Sequence, residues 1–63
     1  MTFKELLENK QLTQQKLANA VGVTQFSVSK WVRGVAVPTK ANMLKIADAL
    51  NVDAIDIIKL FYN

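Results

Sequence analysis

The chain contains no cysteine and no histidine. Those two absences exclude disulfides, thiolate chemistry, the common zinc sites and the usual general base for work near neutral pH. No apolar run approaches the roughly 18 residues of a membrane span, and the N-terminus lacks a secretory pattern. A soluble, cytoplasmic protein with no membrane partner is the expectation. Strand signals are also missing: the valines around Val35 and Val37 are few and end at Pro38. There is no repeat, low-complexity segment or linker. The five carboxylates are scattered, so no catalytic constellation can be named and an enzyme is not expected. No cofactor, metal or small-molecule ligand is implied.

Acid is missing as well, but only locally. Between Asn9 and Ala47 there is no Asp or Glu, while Lys10, Lys16, Lys30, Arg33, Lys40 and Lys45 give that stretch +6. The first eight residues carry −1 and the last sixteen −2, which leaves the net charge at +3. A basic middle between acidic ends points to a polyanion met by one region of the surface. Hydrophobic residues make up 51% of the chain, so it is globular rather than disordered. With 63 residues and no staples, it must be held by efficient helix packing, by a partner, or by both.

The punctuation predicts five helices and hence one all-α domain over residues 1–63. Thr2 followed by Glu5 is a capping box for the first helix, which turns Phe3, Leu6 and Leu7 inward. Thr13 caps a second helix, with Leu12 and Leu17 as a hydrophobic staple and Leu17, Ala18 and Val21 as its stripe. Gly22 ends it by taking positive φ. Thr24 caps a third helix, with Val23 and Val28 as staple, and Gly34 closes it after Arg33. Val35 to Pro38 is extended. Thr39 caps a fourth helix with the stripe Met43, Ile46, Ala47 and Leu50. Asp53 caps a fifth over about 54–62, with Val52 and Ile57 as staple and Asp56 in its first turn.

The second and third helices, over about 13–33, form a tight helix-turn-helix. Counting from Gln14, a small residue stands fifth (Ala18), a glycine ninth (Gly22), and apolar residues fifteenth and eighteenth (Val28, Trp31). The small residue lets the third helix approach the second closely, the glycine turns the chain, and the last two plug the third helix into the core. Advancing about 100° per residue, Phe26 and Arg33 point almost opposite Val28 and Trp31. Lys30 and Ser29 flank them, and Gln25 stands at the border. This outward set carries no acid to repel phosphate.

These residues resemble the phage repressor/Cro-like helix-turn-helix family, also called the XRE family. The likeness rests on Leu12 to Ala18, Val21 to Thr24, Val28 to Trp31, Gly34, Pro38 and the run Leu44 to Leu50, and it covers nearly the whole chain in the family's five-helix order. It implies a compact five-helix repressor-like domain that binds double-stranded DNA through its third helix. Such proteins commonly bind palindromic operators as homodimers, most often as repressors. Gln25, Phe26, Ser29 and Lys30 are then the candidates for reading bases, and Gln14, Thr13, Thr24, Arg33 and Lys40 those for holding phosphates.

An amide at Gln25 can bond adenine in two places, and Lys30 can read guanine or reach a phosphate. Two readings fit Phe26: it packs on thymine methyl groups, or it folds back onto the domain. Gln14 sits where helix N-terminal amides favour an anion. Lys40 at a helix start opposes the dipole, which makes sense if phosphate lies nearby. The chain departs from the family at Val32, where relatives often carry an acid, and at the apolar loop Val35-Ala36-Val37. The fifth helix has two apolar sides, one of Ile55, Ile58 and Tyr62, the other of Ile57, Leu60 and Phe61. One can cover the domain and the other needs a partner. The expected homodimer contact uses Ile57, Leu60 and Phe61 with Val35 and Val37. The alternative on the same fold is a protein-interaction module, an antitoxin or adaptor, which explains the apolar fifth helix and Phe26 but not the acid-free middle.

Overall fold

The computed structural model describes residues 1–62. Its helices are α1 (Phe3–Asn9), α2 (Gln14–Val21), α3 (Gln25–Arg33), α4 (Lys40–Leu50) and α5 (Ala54–Phe61), and no strand occurs among the described residues. The helix starts are built as the threonines require. Thr13, Thr24 and Thr39 each have extended backbone, and their hydroxyls accept the N–H of Lys16 (3.1 Å), Ser27 (3.1 Å) and Asn42 (3.2 Å). At α1 the capping box is complete: Glu5 N–H donates to the Thr2 hydroxyl (3.1 Å), and Thr2 N–H donates to Glu5 Oε1 (2.8 Å).

The fifth start departs from expectation. Asp53 occupies the cap position, yet its side chain makes no cap hydrogen bond. The amide it would have taken, that of Asp56, donates instead to the Asp53 backbone carbonyl at 3.0 Å. The backbone has already satisfied the donor, so the carboxylate has nothing to add there.

The ends of the first four helices share one closure. Gln11, Gly22, Gly34 and Asn51 all have positive φ (56°, 85°, 76° and 57°). In each case the next amide donates to the carbonyl five residues back: Leu12 to Leu7, Val23 to Ala18, Val35 to Lys30 and Val52 to Ala47. This is the Schellman geometry, in which an apolar residue after the left-handed one ordinarily packs back on the helix. Leu12, Val23 and Val52 do pack against the core, whereas Val35 is 65% exposed.

The core draws on every helix: Phe3, Leu6 and Leu7; Leu17, Ala18 and Val21; Val28 and Trp31; Met43, Ile46, Ala47 and Leu50; and Ile57. No polar or charged side chain is buried among the described residues. Ala18 is fully buried, and its small side chain admits α3 close against α2. These contacts fix the angle at which α3 presents its outer face.

The Thr2 backbone N–H, and after it the Thr2 hydroxyl, hold the Glu5 carboxyl below its ordinary pKa of 4.5. A carboxylate favoured in the folded state stabilises above its unfolded pKa, and that stability fades as pH falls through the folded value. The Tm should therefore drop in acid below about pH 4.5, and Glu5→Gln should remove part of that dependence. An identical Tm-against-pH curve for the variant would deny the capping box this role.

Candidate nucleic-acid interface

The turn between α2 and α3 projects α3 so that Val28 and Trp31 enter the core while the opposite side meets solvent. Gln25, the first residue of α3, is exposed. Phe26 is 65% exposed, which places it away from the domain surface rather than folded onto it. Lys30, one turn on, sets its ammonium 4.9 Å from the centroid of the Phe26 ring. Ser29 and Lys30 are half-buried. Arg33 is exposed and turned back along the helix, its Nε–H donating to the Ser29 carbonyl at 3.4 Å.

The expected phosphate-holding residues other than Arg33 stand at helix starts. The Thr24 hydroxyl, besides accepting Ser27 N–H, donates to Ser27 Oγ at 3.2 Å, so both its functions are engaged in the cap. The Thr13 hydroxyl accepts from Lys16 and has its own proton to donate outward. Gln14 is half-buried in a shallow cleft shared by Lys4, Glu8, Leu12 and Val32. Lys40 is exposed as the first residue of α4. Five of the six cations between Asn9 and Ala47 are exposed and Lys30 is half-buried, so the charge of the acid-free stretch lies at the surface, while Glu8 of α1 lines the cleft beside Gln14.

Lys4 was not among the sequence candidates. In the sequence it lies four residues before Glu8, a spacing that reads as a self-neutralising pair on one helix. Only the packing of α1 brings it beside Gln14.

A second cleft, of about 340 Å³, lies between the chain start, the end of α3 and the end of α5. Val37, Leu60 and Phe61 line it, with Phe3, Trp31 and Val32 behind. Val37 is 47% exposed, while Leu60 and Phe61 are half-buried and packed against the core. The structure thus brings together three of the five residues expected at a dimer contact, with exposed Val35 nearby in the same loop. Ile57 is a correction: it is 0% exposed, at the centre of the core. The side of α5 carrying Ile57, Leu60 and Phe61 is the one that docks onto the domain, the Phe61 ring lying 5.1 Å from that of Phe3. The face left outward belongs to Ile55, 54% exposed, and Tyr62, while Ile58 tucks partly against the core.

No helix among the described residues is long and apolar enough to cross a membrane. A helix-turn-helix family model matches residues 3–57. A curated relative, the cryptic phage CTXphi transcriptional repressor RstR of Vibrio cholerae serotype O1, is 38% identical over 56 residues, covering 82% of this chain and 50% of the relative. The chain thus spans about half the length of that repressor. No solved structure matches it. The family match takes in both helices of the turn, the buried core and the first half of α5, and the chain belongs to the XRE-type helix-turn-helix family of DNA-binding regulators.

Proposed function

We propose that residues 1–63 form one cytoplasmic DNA-binding unit that represses transcription by occupying a palindromic operator as a homodimer. The observation that carries this reading is the outward face of α3, exposed at Gln25, Phe26 and Arg33 and half-exposed at Ser29 and Lys30, polar or basic except at Phe26, and free of acid. Gln25, Phe26, Ser29 and Lys30 face the base edges in the major groove. Gln14 and Thr13 hold one phosphate at the start of α2, where N–H groups favour an anion. Arg33 and Lys40 take backbone charge beside it. Thr24 contributes mainly as a cap, since its hydroxyl is already committed to Ser27.

The cleft of Val37, Leu60 and Phe61, with Val35 beside it, supports the two-fold contact. Val35 is the apolar closure residue that finds nothing to cover within its own chain. A second copy there would set two α3 helices about 34 Å apart, one turn of DNA. It would also enlarge a core that is small for independent stability.

Selection of binding sites from a random duplex library tests the reading. An enriched palindrome with half-sites about 10 base pairs apart is expected; a pool without enrichment rejects DNA recognition. Arg33→Ala should weaken binding to all duplexes about equally and lower the salt slope by about one. If affinity and slope are unchanged, Arg33 is a solvated surface charge.

The outward Ile55 and Tyr62 favour a second reading, a protein-interaction module such as an antitoxin or adaptor. Binding that survives high salt and needs no DNA would favour it.

A further inference from the structure

Phe26 and Lys30 stand four residues apart on one face of α3, and the Lys30 ammonium lies 4.9 Å from the Phe26 ring centroid. A free lysine is a mobile point charge that any phosphate can capture. One drawn to the face of an aromatic ring is biased toward that position, because the ring quadrupole attracts the cation. The ring is 65% exposed, so the contact occupies one side and leaves an edge open to solvent. An apolar edge and a directed donor are therefore presented side by side, next to the exposed amide of Gln25.

We propose that Phe26 and Lys30 act as one two-part reader of a pyrimidine–guanine step. The ring edge takes the C5-methyl group of a thymine, and the ammonium donates to O6 and N7 of the guanine on its 3′ side. This rests on the reading that α3 enters the major groove. In that groove the thymine methyl is the apolar group an exposed phenyl ring can cover, and guanine offers two adjacent acceptors. Neighbouring bases on a strand are separated by about 3.4 Å along the axis, so the ring–ammonium spacing suits adjacent bases rather than one base or two distant ones.

The ring senses a methyl group and not thymine as such. A 5-methylcytosine carries the same group in the same position, whereas cytosine and uracil do not. The reader therefore accepts thymine–guanine and 5-methylcytosine–guanine steps, and operator affinity responds to cytosine methylation at that position.

The test uses the full chain and a fluorescent duplex selected from a random library by the unaltered protein, with affinity read by anisotropy. Each thymine is replaced singly by deoxyuridine. One thymine per half-site, lying 5′ to a guanine, should show a loss of about fourfold, the worth of one buried methyl group. At that position 5-methylcytosine should bind about fourfold tighter than cytosine. In Phe26→Ala, whose changed side chain lies outside the core, thymine and uracil should bind alike. Replacing the guanine by 7-deazaguanine should weaken the unaltered chain but not Lys30→Met.

The pair is overturned if uracil is tolerated at every position or if Phe26→Ala keeps the uracil loss. It is equally overturned if 7-deazaguanine harms Lys30→Met as much as the unaltered chain. An enriched duplex with a flat uracil scan rejects this reader alone. A library without any enriched duplex rejects DNA recognition and the reader together.

Discussion

Ile57→Ala is expected to unfold a large fraction of the protein at physiological temperature. Truncating a fully buried isoleucine costs about 2–5 kcal/mol, because the transfer energy is lost and a cavity remains. A chain of 63 residues has roughly 3–9 kcal/mol in total at ordinary stability per residue. Ile57 is also the one fully buried side chain that α5 inserts into the core, so its loss loosens the whole helix. The control is Ile55→Ala on the outward face, which should change stability by less than about 0.5 kcal/mol. Urea titration of both variants gives the comparison. Similar losses at the two positions would mean that α5 is docked by a different side.

Val37→Asp should leave the monomer folded and remove most operator binding. The side chain is 47% exposed, so a carboxylate there can be hydrated when the chain is alone. In the proposed two-fold contact the cleft it shares with Leu60 and Phe61 would be covered by the other copy, and the carboxylate would lose its water. Two linked recognition helices gain about two to four orders of magnitude over one, and that is the expected loss for a palindromic site. Sedimentation should show a monomer at concentrations where the unaltered chain is dimeric. A Val37→Asp dimer with full affinity would remove this cleft as the interface. Val37 is a cleaner probe than Phe61, whose ring is also part of the packing on Phe3.

Local chemistry was readable from the sequence because it acts over three or four residues. The threonine caps, the Thr2–Glu5 box, the two glycine closures and the stripes of α2, α3 and α4 each state their requirement in adjacent positions. The orientation of α3 followed from the same periodicity. Other features depended on contacts between distant segments. The two sides of α5 are both apolar, so composition could not say which one would meet Phe3, and the choice of Ile57 as an accessible residue was wrong for that reason. Gln11 and Asn51 take positive φ without glycine's permission, because the closure they complete is stabilised by Leu12 and Val52 packing on the core. Asp53 looked like a cap and stands in the cap position, but a backbone carbonyl took its donor first. The Phe26–Lys30 contact was within reach, since four-residue spacing on a helix face is itself the signal.

The turn glycine has a consequence for how distant relatives can be found. A Cβ built at Gly22 meets nothing within 4 Å, and the same is true at Gly34. Glycine is required there by the sign of φ and not by crowding. Asn51 and Gln11 perform the same closure elsewhere in this chain with full side chains. A mutational drift from Gly22 to asparagine would thus meet only the modest cost of the left-handed conformation. A search pattern that insists on glycine at the ninth position of the motif will pass over sequences that turn the same corner. The caps on either side and the small residue at the fifth position are the better markers.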